Sequence, residues 1–177
     1  MILQEFPHEA ARRECAKLYM AALNGDWNSV KDMDDIERII SDKGETTLHI
    51  AVAANQKKFI QNLLNKMEPN KLEAENKNGI NAFTYAAATG KLDIVKAMLH
   101  KNPNLRGTLK PLLMATLFGH NEMVEHLFSL SGFDKWNTTD KDELFVACAS
   151  NGMYGKHKFL LFGLSFHLSL HVLISHS

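Results

Sequence analysis

Nucleophiles and metal ligands are the first residues to weigh in this sequence. It contains two cysteines, Cys15 and Cys148, and nine histidines. The cysteines are far apart and neither stands in a C-x-x-C pattern, so their spacing makes no redox pair and no zinc half-site. Cys148 lies between Ala147 and Ala149. A small-residue packing slot points to a buried, inert thiol and not to a nucleophile paired with a histidine base. His167 and His171 are spaced i, i+4, a helical chelate spacing, but no cysteine or carboxylate lies nearby to complete a zinc set. Asp32, Asp34 and Asp35 cluster without the ligand spacing and closing glutamate of a calcium loop, and read as a solvated helix face. The glycines never form a dinucleotide or nucleoside-triphosphate loop. The expectation is a protein that is not an enzyme, with no catalytic residue, no cofactor and no metal.

Totals narrow the class further. Twenty basic and twenty acidic residues cancel, so there is no field to draw nucleic acid. Arg12-Arg13 and Lys57-Lys58 are small clusters that read as solvated helix faces. A length of 177 residues suits one domain or a short repeat array. Glu5, His8, Glu9, Arg12 and Arg13 interrupt any secretory leader pattern. With two cysteines expected to stay reduced, the expected location is cytoplasmic.

The elements that place these residues recur along the chain. Gly44-Glu45-Thr46-Thr47-Leu48-His49-Ile50-Ala51 combines a glycine for a turn, a threonine able to cap a helix start, a core leucine and a small alanine. With Ala51 as reference, the same slot falls on Ala21, Ala86, Ala115 and Ala147, at steps of about 29–35 residues, close to a ~33-residue repeat period. A second half recurs in register. Gly90-Lys91-Leu92-Asp93-Ile94-Val95-Lys96-Ala97-Met98-Leu99 and Gly119-His120-Asn121-Glu122-Met123-Val124-Glu125-His126-Leu127-Phe128 share one apolar pattern, and residues 55–64 are a looser copy.

These motifs resemble ankyrin repeats: the first is one step from G-x-T-P-L-H-x-A, with Thr47 where proline is usual. The resemblance covers residues 19–154 and implies an all-α solenoid of stacked helix-turn-helix units. Residues 1–17 are then a lead-in and helix start, residues 18–154 an array of about five units with degenerate ends, and residues 155–177 an irregular hydrophobic tail. The opener Leu18-Tyr19-Met20-Ala21-Ala22-Leu23-Asn24-Gly25-Asp26-Trp27 is similar to that of the plant membrane-associated ankyrin group related to accelerated cell death and salt tolerance. Asn151-Gly152-Met153-Tyr154, following Leu144 to Ala149, resembles a later repeat of that group. There the array precedes a membrane domain of several helices. The narrower resemblance implies stress or defence signalling and, as an alternative location, the cytoplasmic side of the plasma membrane.

Taken in order, residues 8–24 predict a helix and residues 29–40 a second one, although the aspartates are poor helix-interior residues. The second repeat spans about 42–70, with Pro69 ending its outer helix. The third spans about 76–103, where Asn78-Gly79 supplies the turn, Asn81 replaces the capping threonine and Phe83 the core leucine. The fourth spans about 106–132; Lys110 takes the threonine slot, Thr108 takes the turn-glycine slot, and a shortened finger is expected. The fifth begins near Thr138, with Asp140 in the glycine slot and Glu143 in the proline slot.

After Gly155 the pattern changes. Phe159 to Phe162 is continuously apolar, and residues 164–172 alternate strictly, a strand period where the repeat calls for an outer helix. The sixteen residues 159–174 would span about 24 Å as a helix, short of the ~30 Å hydrocarbon core, so membrane insertion is not expected. The tail reads as a sticky or irregular segment, and a truncated or misjoined reading frame would produce it. On that reading the chain is a fragment of a membrane-bound signalling protein that has lost its membrane helices.

What remains is recognition of a protein partner. The resemblance implies contacts through finger residues Asp42, Lys43, Glu45, Lys77, Asn78 and Ile80. It also implies contacts through the inner-helix positions Ala53, Ala54, Ala88, Thr89, Leu117, Phe118, Ala149 and Ser150. Most of these are small. Leu117 and Phe118 either anchor a partner or pack against the neighbouring repeat or the tail. Trp136, ahead of the fifth repeat, either anchors a partner or packs within its loop. His49 is expected to hold the repeat together by hydrogen bonds.

Overall fold

A stripe of apolar residues at i, i+3 and i+4 forms a helix with one face to hide, and this chain does so repeatedly. The computed structural model describes residues 7–151; the expected tail and the Gly152-Met153-Tyr154 stretch lie outside them. Three complete helix pairs follow one another: α2 (Thr47–Ala53) with α3 (Lys57–Lys66), α4 (Ala82–Ala88) with α5 (Leu92–Lys101), and α6 (Leu109–Leu117) with α7 (Asn121–Leu130). The helix α1 (Pro7–Asn24) precedes them and α8 (Thr138–Ser150) follows. Single 3-10 turns occupy Pro69–Glu73, Pro103–Leu105 and Phe133–Lys135. Among the described residues there is no strand, only two isolated antiparallel bridges, Ile39 with Thr46 and Glu75 with Asn81. The fold is an all-helical repeat solenoid. The chain divides into two compact units, Met1–Ala86 with Asp93–Pro103, and Ala87–Leu92 with Asn104–Ser177. In the first, α1 packs on α2 and α2 on α3; in the second, α6 packs on both α7 and α8.

The register read from the alanines holds at every unit. Ala51, Ala86 and Ala115 are 0% exposed and Ala21 and Ala147 are 4% exposed. The residue three places earlier is Leu18, Leu48, Phe83, Leu112 or Leu144, and each is buried. The residue one place later is Ala22, Val52, Ala87, Thr116 or Cys148, again buried. Inner helices therefore share one buried stripe, and each large side chain in it contributes about 1.5–3 kcal/mol. Thr116 alone brings a hydroxyl into that stripe, and it donates to the Leu112 carbonyl at 2.8 Å. Outer helices bury a double stripe: Phe59, Ile60, Leu63 and Leu64 in α3, and Ile94, Val95, Met98 and Leu99 in α5.

Polar bonds of one repeat length stitch the units. A left-handed residue follows four of the inner helices, at Gly25, Asn55, Gly90 and Gly119. The next residue reaches back to the preceding unit in two cases. Gln56 Nε2 donates to the Leu23 carbonyl at 2.7 Å, and His120 Nε2 lies 2.9 Å from the Ala88 carbonyl. Asn102 Nδ2 donates to the Pro69 carbonyl at 2.9 Å and to Glu73 at 2.8 Å, and Lys66 bonds the Lys31 carbonyl. These back-reaching side chains crowd the turns they cross. A Cβ at Gly90 would sit 2.6 Å from His120 Nδ1.

His49 ties the first finger to the second. Its Nδ1 accepts the Thr46 backbone N–H at 3.2 Å and lies 2.9 Å from the Thr46 hydroxyl; Nε2–H donates to the Ile80 carbonyl at 2.9 Å. The structural role expected for His49 is met by these bonds. Asn81 caps α4 as expected: its Oδ1 accepts from Thr84 N at 2.9 Å and from the Thr84 hydroxyl at 2.8 Å.

Four local expectations are corrected. Residues 29–40 form turns, not a helix. Ser29 N bonds the Asp26 carboxylate, Asp35 takes φ +50°, and Arg38 reaches back to Glu14 on α1 at 2.9 Å. Short acidic side chains that bond their own backbone favour turns. Pro69 does not end α3, which stops at Lys66; it opens the 3-10 turn that follows. In the fourth unit the left-handed turn residue is Gly107, one place before Thr108, which is the N-cap of α6. In the fifth, Asp140 lies inside α8, because Asn137 caps the helix early by accepting Asp140 N at 2.8 Å. The inner helices lengthen as fingers vanish: seven residues in α2 and α4, nine in α6 and thirteen in α8.

Three outcomes follow from this packing. Thr47 is fully buried at the first position of α2, and its hydroxyl has no partner among the described residues. Thr46 before it is extended (φ −88°, ψ 169°), as proline requires. Thr47→Pro is expected to raise unfolding stability by about 0.5–1 kcal/mol in a denaturant titration. Gly90→Ala should cost about 1 kcal/mol for the left-handed backbone and about 1 kcal/mol more for displacing His120. Gly119→Ala, with nothing near its Cβ, should show only the first cost. Burial, against the Ile80 carbonyl and the Glu45 charge, holds the His49 pKa below its ordinary 6.5. The unfolded chain then binds the proton first on acidification, so this contribution is full above about pH 6.5 and is lost as pH falls. Melting temperature should drop from about pH 7.5 to 5.5, less steeply in His49→Gln; equal slopes would place the pH dependence elsewhere.

Candidate functional site

Two fingers present their tips in the first unit, built by turn chemistry. In the first, Gly44 N donates to the Ser41 carbonyl at 3.0 Å and Ile40 N to the Glu45 carbonyl at 2.8 Å. In the second, Asn76 Oδ1 accepts from Asn78 N at 2.9 Å and Ile80 N at 3.1 Å, and Gly79 takes φ +66°. Lys77 N donates to the Lys43 carbonyl at 2.9 Å, so the fingers run side by side. Asp42, Lys43, Lys77 and Asn78 are exposed at these tips, and Glu45 and Ile80 are half-buried. Glu45 accepts from the Ser41 hydroxyl at 2.9 Å and from the Tyr85 hydroxyl at 3.2 Å. Burial and the Glu45 charge raise the Tyr85 pKa, so this phenol stays protonated and donates.

The solvent side of the inner helices is the second surface. Thr89, Leu117 and Phe118 are exposed, the last two by 44% and 60%. Relative to each reference alanine, the slots one place before, two after and three after form an i, i+3, i+4 set on one helix face, although Ile50, one place before Ala51, is buried. Among the exposed large apolar residues, Met20 and Leu23 on α1, Leu117 and Phe118 on α6 and Val146 on α8 all fall on those slots. Sequence reasoning named Leu117 and Phe118 but missed Met20, Leu23 and Val146. The signal was available, since the slot before the reference alanine is one helical turn from the slot two after it.

Trp136 is half-buried in its loop, apart from the inner-helix slots. Its Nε1–H donates to the Ser131 carbonyl at 3.1 Å, and its ring lies 5.8 Å from Phe133. A groove of about 620 Å³ runs between α1 and the first finger, lined by Cys15, Tyr19, Met20 and Ile39 among others. Burial pushes the Cys148 pKa up to about 11, which keeps its thiol protonated and unreactive. No group of three or more histidine, cysteine, aspartate or glutamate side chains gathers in metal-binding geometry among the described residues. No described helix is long and apolar enough to cross a membrane.

A family model described as Ankyrin repeats (3 copies) matches the sequence over residues 8–108 and again over residues 48–140. No curated protein gives a significant match. The matched span carries the three helix pairs, four of the five reference alanines and the His49 clasp described above, and it takes in well over half of the chain: this protein belongs to the ankyrin-repeat family.

Proposed function

We propose that this chain is a non-catalytic protein-binding module that holds its partner on the outward slots of the inner helices. One observation carries the reading. Among the described residues seven large apolar side chains are exposed, and five of them stand on those three slots. Scattered apolar residues are ordinary, but apolar side chains collected on one repeated face mark a recognition surface. The finger residues Asp42, Lys43, Lys77 and Asn78 would add polar contacts at the rim, with Glu45 and Ile80 behind them and Thr89 on the inner-helix face. Trp136 joins this set only if the partner reaches the loop before α8. The narrower resemblance supports a setting in stress or defence signalling at the cytoplasmic side of a membrane, and it rests on residues 18–27 and 144–154 alone. An open reading frame downstream that encodes several apolar helices would favour the fragment of a membrane-bound protein over a free cytoplasmic adaptor.

Phe118 offers the sharpest test. It is exposed and caps the C-terminal end of α6, so a negative charge there opposes the helix dipole by about 0.3–1 kcal/mol. Phe118→Lys avoids that cost. Both Phe118→Asp and Phe118→Lys should lower partner recovery in a pull-down by about tenfold or more if Phe118 is an anchor, with melting temperature nearly unchanged for the lysine variant. Recovery of the same partners by both variants would remove Phe118 from the site.

A further inference from the structure

The apolar face in the second unit is close to chain that could cover it. α6 packs directly on α8, and Leu117, Phe118 and Val146 point to the same side in the common register. Val146 is 61% exposed. It lies four residues before Ser150, about 6 Å along the axis from the end of α8. Past Asn151 the sequence continues through residues 152–177; these lie outside the described residues, and only their sequence enters here. Phe159, Leu160, Leu161 and Phe162 are consecutive and apolar. The eight steps from Asn151 to Phe159 span up to about 26 Å, enough to return over α8 and over α6 at an axial distance of about 8–10 Å. The charges also match. Asp142 and Glu143 are exposed one turn before Val146, and Lys156 and Lys158 immediately precede the apolar run.

We propose that residues 159–162 dock in cis on the face formed by Leu117, Phe118 and Val146. Covalent attachment sets an effective concentration on the order of millimolar for this contact. A partner using the same face must then displace the segment. That competitive half rests on the function proposed above, whereas the docking itself does not.

The test uses the full chain with a benzophenone amino acid in place of Phe118, irradiated at about 1 µM, where tethering favours the intramolecular product by about a thousandfold. Crosslinks within the monomer from position 118 to residues 156–163 are expected. Leu160→Asp combined with Phe162→Asp should cut their yield by about tenfold, with circular dichroism unchanged. Crosslinks only between two chains would assign the face to a second copy and overturn the proposal. So would monomer with no link to the tail, or a tail that carries the chain into a phosphatidylcholine vesicle pellet without crosslinking. Loss of partner recovery in Phe118→Lys without any tail crosslink would overturn docking and leave the binding function standing. A tail crosslink with partner recovery unaffected by Phe118→Lys would do the reverse.

Discussion

No helix pair in this protein can bury its own apolar stripe, and that single constraint organises the molecule. A pair such as α2 and α3 hides the side of each helix facing the other, but α2 also needs α1 across its Leu48 and Ala51 face. Stability in such an array is a sum of unit and neighbour terms, with no central core. The alanine register follows directly. Helices approach closely only where the side chain between them is small, and all five reference alanines are buried. Even the polar bonds obey the period: those from Gln56, His120, Asn102, Lys66 and His49 each span 29–35 residues.

Those bonds also explain which residues may not vary freely. Gly90 serves a left-handed turn and leaves room for the His120 ring. His49 accepts at one ring nitrogen and donates at the other, which only the neutral imidazole can do. A polar side chain that has both ends satisfied in a buried place fixes the spacing between a helix start and the next finger. In the fourth and fifth units, where the finger shortens, the inner helix extends at its N-terminal end.

A surface built this way has a division of labour. The inward slots are all buried because each must accept a neighbour, and the reference alanine is the same in all five. The outward slots face fewer neighbours, and they differ between units: Ile50, which is buried, and the half-buried Tyr85 stand beside alanines and Thr89 in the middle of the chain, while Met20, Leu23, Leu117, Phe118 and Val146 are exposed toward its two ends.

The amino-acid sequence alone determined the repeat register, the three central helix pairs, the glycine turns at Gly25, Gly90 and Gly119, the cap at Asn81 and the structural role of His49. Each of these is a local rule of spacing or backbone geometry that needs only a few neighbouring residues to state. It also sufficed to mark Leu117 and Phe118, which are large where a small residue is usual. The turns over residues 29–40, the early start of α8 and the exposure of Met20, Leu23 and Val146 were decided by tertiary structure. The acidic stretch had enough helical pattern to read as a helix, yet Asp26 bonds the Ser29 backbone at its start, and Arg38 bonds the Asp34 and Asp35 carbonyls and Glu14 on α1. Exposure is likewise a property of what lies opposite a side chain, and a sequence states the side chain without stating its neighbour.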